Sequence, residues 1–355
     1  MVIIKWVVQG VLATSGMLTM SDLDEIASGF KCVIPLVEEH EFEYDVDELR
    51  RRGVSVYHKP IVDFSAPGLI ELHEIVELIN RCEKPVLVHC SGGRGRSGVI
   101  AVAYLMATQG LDYYEALWRA RGVEPKYVET PIQHRALKLY SKLLRAVPRR
   151  LLREAIELGR RIPGEHGCAY FGRGVGHASR VLELSIKLAE ELERVGVVKL
   201  SEGVKRALYV AAILHDVGVT LLKPGEPDDL HREYSYMLIR QHAHILNEAC
   251  SCDVGERAAL IARLHGAGDT IPPGLDREEL VAIGVLRVAD GLDYTLKQHV
   301  YDVEVERSGS RLEIKAYCSE APLDACEVCI EKANKKKALL EEALGLDVTV
   351  TLAPS

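Results

Sequence analysis

The sequence predicts two architectures in series: a mostly parallel α/β sheet flanked by helices, then an all-α half ending in a small α+β appendage. Three observations carry this. Short apolar runs at 33–37, 54–57 and 86–88 alternate with helical stretches at 21–29, 68–81 and 97–109, as in a parallel sheet wrapped by helices. Past residue 148 the pattern becomes long helical periodicity, at 178–196, 202–215, 231–248, 254–264 and 278–296. After 298 strand alternation returns, at 301–306 and 311–317, around the turn Ser308-Gly309-Ser310.

Taken in order, Met1 to Val8 is apolar but lacks the leading basic region and small-residue cleavage site of a signal peptide, so it reads as a first strand. Residues 112–146 read as helical with a break at Gly122-Val123-Glu124-Pro125, and Pro148-Arg149-Arg150 marks the passage into the second half. The appendage adds a helix over 325–344, stopped by Gly345, and a closing strand over 347–352. The expected domains are 1–147, 148–298 and 299–355, the last packed on the second and carrying no chemistry of its own.

Composition narrows the function classes. The net charge of −8 across 355 residues, with no basic tail, excludes a general affinity for nucleic acid or membrane surfaces. No run approaches the ~18 uncharged apolar residues of a membrane span. Nine cysteines, at 32, 82, 90, 168, 250, 252, 318, 326 and 329, are too scattered for a small secreted disulfide framework, which points to a reducing, cytoplasmic setting. Cys326 and Cys329, with Cys318, leave a bridge or a zinc site open. Sparse Asn and Gln among abundant charges point to a thermophile. The oligomeric state is not written in the sequence.

The chemistry concentrates in His89-Cys90-Ser91-Gly92-Gly93-Arg94-Gly95-Arg96-Ser97, between the apolar strand Val86-Leu87-Val88 and an apolar helix. A glycine-bearing turn from strand to helix converges backbone amides and cradles a phosphate, here Ser91, Gly92, Gly93, Arg94, Gly95 and Arg96. A helix N-terminus and nearby cations lower a thiol from ~8.5 to roughly 3.5–7.5, which would make Cys90 a nucleophilic thiolate. Arg96 offers the planar fork that grips two phosphoryl oxygens. Asp63, on the proline-bounded stretch Pro60 to Pro67, supplies a carboxylate for general acid work.

His89, Cys90, Gly93, Arg96 and Ser97 match the HCxxGxxR[ST] signature, and this half resembles the cysteine-dependent protein tyrosine and dual-specificity phosphatases. The resemblance implies Cys90 as nucleophile, Arg96 as phosphate ligand, Asp63 as general acid and Ser97 as a donor easing the departure of Cys90. It places Gln133 near the hydrolytic water and requires no cofactor. His89 braces the loop.

In the second half, Leu214-His215-Asp216-Val217-Gly218 ends an apolar helix, His177 opens another, and Asp290 lies late in a third. The set His177, His215, Asp216, Asp290 resembles the H…HD…D ligands of the HD phosphohydrolases. His231 and His265 stand where binuclear members carry a second-metal pair, and the surrounding text resembles the helical domain of the exopolyphosphatase and guanosine-pentaphosphatase family. Imidazole and carboxylate donors suit divalent manganese, iron, magnesium or zinc, as two ions.

The resulting expectation is a phosphatase acting on phosphotyrosine or phosphoserine proteins through a phosphocysteine, fused to a metal-dependent HD phosphohydrolase. Two alternatives stay open. The HD half serves as a nucleotide- or metal-binding regulator, or the substrate is a polyanionic small molecule (an inositol phosphate, polyphosphate or nucleotide) drawn by Arg94.

Overall fold

The computed structural model describes residues 2–161, 171–319 and 323–353, so Cys168 lies outside the described residues. The chain divides into two compact units, Met1–Leu144 and Arg145–Ser355.

In the first unit, five strands form one sheet in the order β1 (Lys5–Val8), β2 (Leu12–Ser15), β5 (Val86–His89), β3 (Cys32–Pro35), β4 (Ser55–Val56). Only β1 and β2 pair antiparallel; the other pairings are parallel. Every residue of β2, β3 and β5 is buried, which is why these runs read as continuous apolar sequence rather than alternation. Five helices flank the sheet in this unit: α1 (Leu23–Gly29), α2 (Val46–Arg51), α3 (Leu69–Arg81), α4 (Arg96–Gln109) and α5 (Tyr113–Arg121), followed by α6 (Pro131–Ala146). Ala13, Val33 and Leu87 from three neighbouring strands pack with Leu23, Ile26 and Leu49 of α1 and α2 into one core cluster.

In the parallel register Ser15 and Pro35 both sit opposite His89. The loop leaving β5 therefore emerges at the carboxyl edge of the sheet, flanked on both sides, where α/β folds place their ligands. The helix that follows, α4, is buried from Arg96 to Met106.

The second unit is helical: α7 (Arg149–Arg161), α8 (Val175–Arg194), α9 (Glu202–Leu214), α10 (His231–Gln241), α11 (Ala243–Cys250), α12 (Gly255–Arg263) and α13 (Arg277–Leu292). The single helix expected over 231–248 is two. It breaks at His242, whose Nδ1 bonds the Leu238 carbonyl and whose φ of −106° and ψ of 8° leave the helical well. The expected helix over 325–344 is likewise α14 (Leu323–Lys336) and α15 (Ala338–Leu344), the second stopped by left-handed Gly345 at φ +67°.

The hairpin β6 (Val300–Ser308) and β7 (Arg311–Cys318) turns through Gly309, and β8 (Asp347–Leu352) adds parallel to β7. Val305 N–H donates to Glu191 on α8 at 3.1 Å, tying this small sheet to the helices. Two glycines of α13 fix the remaining packing: a Cβ on Gly291 would stand 2.7 Å from Ala333 Cα of α14, and one on Gly284 2.9 Å from Leu340 Cα of α15. The appendage helices thus lie hard against the helix that carries Asp290.

The cysteines differ from the sequence expectation of reduced thiols. Cys250 and Cys252 form one disulfide and Cys318 and Cys326 another. The first closes because Ser251 takes a left-handed backbone, φ +52°, at the end of α11. Of the bridge or zinc alternatives at Cys318, Cys326 and Cys329, the bridge between the first two is present, and Cys329 stays a buried thiol beside Thr295.

Candidate functional site

The loop after β5 wraps Cys90. The Cys90 thiol is buried, accepts the Gly93 N–H at 3.3 Å and lies 3.4 Å from Ser97 Oγ. Around it the carbonyls of Ser91, Gly93 and Arg94 are bonded away, to Met17 N–H, Lys5 Nζ and Gly98 N–H. A trans peptide points its N–H opposite its carbonyl, so the amides of Gly92, Arg94 and Gly95 are left for an anion. Gly93 makes this possible: its φ is +65°, and a Cβ there would stand 2.6 Å from Gly16 N. Ser91, Gly92 and Arg94 face solvent, whereas Gly93, Gly95, Arg96 and Ser97 are buried.

Arg96 is more constrained than the sequence implies. Its Nη1 and Nη2 donate to the two carboxylate oxygens of Glu41, at 2.6 and 2.7 Å, and Nη1 also donates to the Ile61 carbonyl at 3.0 Å. Asp63 Oδ1 stands 3.1 Å from Nη2, on a side chain 51% exposed. Arg96 Nε has no partner among the described residues although it is buried. The fork end that the sequence assigned to phosphate is thus held by Glu41, and the Nε edge is the donor left over. Hydrogen bonding to Arg96 pulls the Glu41 carboxyl down to about 2. Glu41, in the acidic stretch 38–43, carries no local motif that marks it as a partner of Arg96.

The acid loop is anchored at both ends of its turn. Phe64 N–H donates to Asp63 Oδ1 at 2.9 Å, and the Phe64 carbonyl accepts from Thr130 Oγ1 at 2.9 Å. Gln133 is fully buried; its Nε2 donates to the Ser65 carbonyl at 3.1 Å and its Oε1 accepts Glu129 N–H at 2.8 Å. Gln133 therefore links the start of α6 to the acid loop.

His89 accepts or donates one bond, to Tyr44 OH at 2.8 Å, and burial pushes its pKa down to about 4. The folded chain thus refuses a proton that the unfolded chain takes up near 6.5. As pH falls from 6.5 toward 4 this group costs the fold about 1.4 kcal/mol per unit, about 3 kcal/mol in all. Thermal unfolding followed from pH 7 to pH 4 is expected to show that loss in the wild type and a shallower slope in His89→Gln.

In the second unit six side chains meet. His177 opens α8, His215 caps α9, Asp216 follows it, His231 begins α10, His265 follows α12, and Asp290 lies on α13. Asp216 joins two groups. Its Oδ2 is 3.4 Å from His177 Nε2 and 3.6 Å from His215 Nε2, while its Oδ1 is 3.2 Å from His231 Nε2 and 3.8 Å from His265 Nε2. Asp290 Oδ1 completes the first group, 3.4 Å from His177 Nε2.

The far ring nitrogens are all engaged: His215, His231 and His265 through Nδ1 to the carbonyls of Ala212, Asp228 and Ala262, and His177 to Asp293 Oδ2 at 2.9 Å. Donation of Nδ1–H there leaves the Nε2 lone pairs facing inward. These lone pairs oppose each other at 3.3 Å for His177 with His215 and 3.2 Å for His231 with His265. Asp216 Oδ2 is buried with no aligned hydrogen-bond donor. Opposed lone pairs around a buried carboxylate are the arrangement a cation relieves, so the donor set fits one divalent ion in each group. Without an ion, burial opposes charge on His177, but Asp216, Asp290 and Asp293 outweigh it and raise its pKa well above the imidazole range, so its Nε2 lone pair becomes available only as a bound cation displaces the proton.

Asp293 and Lys336 escaped the sequence reading. Lys336 Nζ, on α14, pairs with Asp290 Oδ2. The appendage, expected to carry no chemistry, supplies a cation to this site because Gly291 lets α14 approach Asp290 so closely.

Residues 14–110 match the DSP-PTPase phosphatase family of polymorphic toxin systems, and residues 174–295 match the HD domain. The chain joins a DSP/PTP-type phosphatase domain to an HD domain. The solved structure of Tk-PTP in the active form is 43% identical over 39% of this chain and 96% of that one, with a TM-score of 0.38. The dual specificity protein phosphatase OPG106 of Vaccinia virus (strain Copenhagen) is 27% identical over 23% of this chain and 54% of its own. Cyclin-dependent kinase inhibitor 3 of Homo sapiens is 34% identical over 17% of this chain and 30% of its own. The similarity to protein tyrosine phosphatase domain-containing protein 1 of Danio rerio spans 18% of that relative. The DSP/PTP domain holds the Cys90 loop, and the HD domain holds the His/Asp cluster. No helix among the described residues is long and apolar enough to cross a membrane.

Proposed function

We propose that the DSP/PTP domain hydrolyses phosphomonoesters through a phosphocysteine, and that the HD domain is a second, metal-dependent phosphohydrolase. One observation supports the first reading above others: a buried thiol at the carboxyl edge of a parallel sheet, with a hydroxyl, an unpartnered guanidinium edge and a carboxylate gathered around one loop.

In the first half-reaction Cys90 Sγ attacks phosphorus as the bond to the leaving oxygen breaks, and Asp63 gives that oxygen its proton. Arg96 Nε and the loop amides hold the equatorial oxygens, while Glu41 fixes the guanidinium plane. In the second, Asp63 takes a proton from water as its oxygen bonds to phosphorus and the S–P bond breaks. Ser97 donates to the departing thiolate.

In the HD domain His177, His215, Asp216 and Asp290 would hold one divalent ion, with His231, His265 and the second oxygen of Asp216 for another. Such ions supply Lewis-acid activation of water and phosphoryl oxygen, giving hydrolysis without a covalent enzyme intermediate. Asp293 orients His177, and the three backbone carbonyls set the other ring planes.

Phosphotyrosine and phosphoserine proteins are the substrates that this reading favours. Phosphate release from phosphopeptides and from pyrophosphate and polyphosphate, with wild type and Arg94→Ala, tests it. Peptide turnover within about threefold of wild type in the variant is expected, because the Arg94 side chain is exposed to solvent. Selective loss of polyphosphate turnover, with peptides poor substrates, would reassign the domain to polyanions.

A further inference from the structure

Two basic side chains near the HD cluster are left without a role by the ligand set. Arg173, four residues before His177, places Nε 3.1 Å from Asp216 Oδ2, and its Nη2 lies 2.8 Å from both oxygens of Asp228. Lys336 stands on Asp290 Oδ2. Each cation therefore meets one of the two carboxylates that the histidines share. The other partner of Arg173 holds it loosely, since the Asp228 side chain is 71% exposed.

We infer that Arg173 and Lys336 form an anion clamp at the mouth of the metal centre, which grips the phosphoryl oxygens of a ligand carrying at least two negative charges. The inference rests on the metal-centre reading proposed above. Position supports it first. The side chains of Arg173 and Lys336 are 28% and 19% exposed, whereas those of the six cluster residues are 14% exposed or less. The two cations thus lie on the more solvent-exposed side of the cluster.

Charge supports it next. Asp216, Asp290 and Asp293 bring three negative charges, which two divalent ions already exceed. With the ions competing for the same carboxylates, Lys336 loses its partner Asp290 and Arg173 keeps only the exposed Asp228, so both half-buried cations favour a further anion. A phosphomonoester or pyrophosphate dianion meets that need. The planar guanidinium suits paired phosphoryl oxygens, and the flexible ammonium serves as a point charge. Lys336 comes from the C-terminal appendage, so this small α+β piece completes the HD site.

The test uses the full chain, with inorganic phosphate as probe and Mn2+ as metal. Manganese-induced relaxation of the phosphorus signal reports phosphate held next to the ion. Mn2+ affinity is measured separately from free-ion resonance. In Arg173→Gln and in Lys336→Gln, phosphate affinity at the manganese site is expected to fall about tenfold or more, the worth of a charged hydrogen bond. Mn2+ affinity should hold or tighten, because a competitor for the carboxylate is gone. Lys336→Arg should recover most of the phosphate affinity. Unchanged phosphate binding in both variants would overturn the clamp, as would a parallel loss of Mn2+, which would make these residues supports of the ligands. A wild-type chain that binds no Mn2+ at the cluster would instead overturn the metal-centre reading itself.

Discussion

Cys90→Ser is expected to lower chelator-resistant turnover of an aryl phosphate by on the order of 10⁴-fold or more, with binding of phosphate largely kept. The nucleophile makes the new bond to phosphorus, so its loss removes the covalent route rather than weakening it. A serine hydroxyl at this position would remain protonated, because its alkoxide forms far less readily than a thiolate and the Gly93 N–H that the sulfur accepts is a donor, not a base. The loop itself is held by backbone bonds to Met17 and Gly98 and by the Glu41–Arg96 pair, none of which involves the sulfur. Steady-state kinetics on the variant, with its phosphate affinity measured by calorimetry, check both halves of the expectation.

Asp216→Ala is the second large effect. Because its two oxygens serve different histidine pairs, one substitution is expected to remove both ions, whereas His265→Ala should spare the group at His177. Elemental analysis of protein equilibrated with Mn2+ should fall from two ions per chain to none in Asp216→Ala and to one in His265→Ala. Metal-dependent phosphate release should drop on the order of 10³-fold in Asp216→Ala, since several kcal/mol of transition-state stabilisation go with the ions. Turnover at Cys90 should stay. Two ions still bound to Asp216→Ala would break the bridging assignment.

What the sequence disclosed, and what it did not, follows from distance along the chain. The Cys90 loop is nine consecutive residues whose geometry is local, so strand, turn and helix were all readable around it. The six members of the His/Asp cluster were readable because His215 and Asp216 are adjacent at a helix end and the others lie at or near the ends of recognisable helices. Glu41, Asp293 and Lys336 were not. Glu41 reaches Arg96 only because the segment after β3 runs beside the carboxyl end of β5, a consequence of strand order that spacing does not encode. Lys336 sits in the run Lys335-Lys336-Lys337, which reads as a solvated face until Gly291 brings α14 onto α13. The breaks at His242 and Lys337 were hidden for a related reason: helical periodicity continues through them, and side-chain bonds to the backbone decide the bend.

We propose that one chain holds two independent phosphohydrolase centres, one thiol-based and one metal-based. The most direct measurement is phosphate release by wild type, Cys90→Ser and Asp216→Ala, each with chelator and with added Mn2+, on an aryl phosphate. A clean exchange is expected: Cys90→Ser keeps only a metal-dependent component, and Asp216→Ala keeps only a chelator-resistant one. Chelator-resistant activity that survives Cys90→Ser, or metal-dependent activity that survives Asp216→Ala, would contradict it.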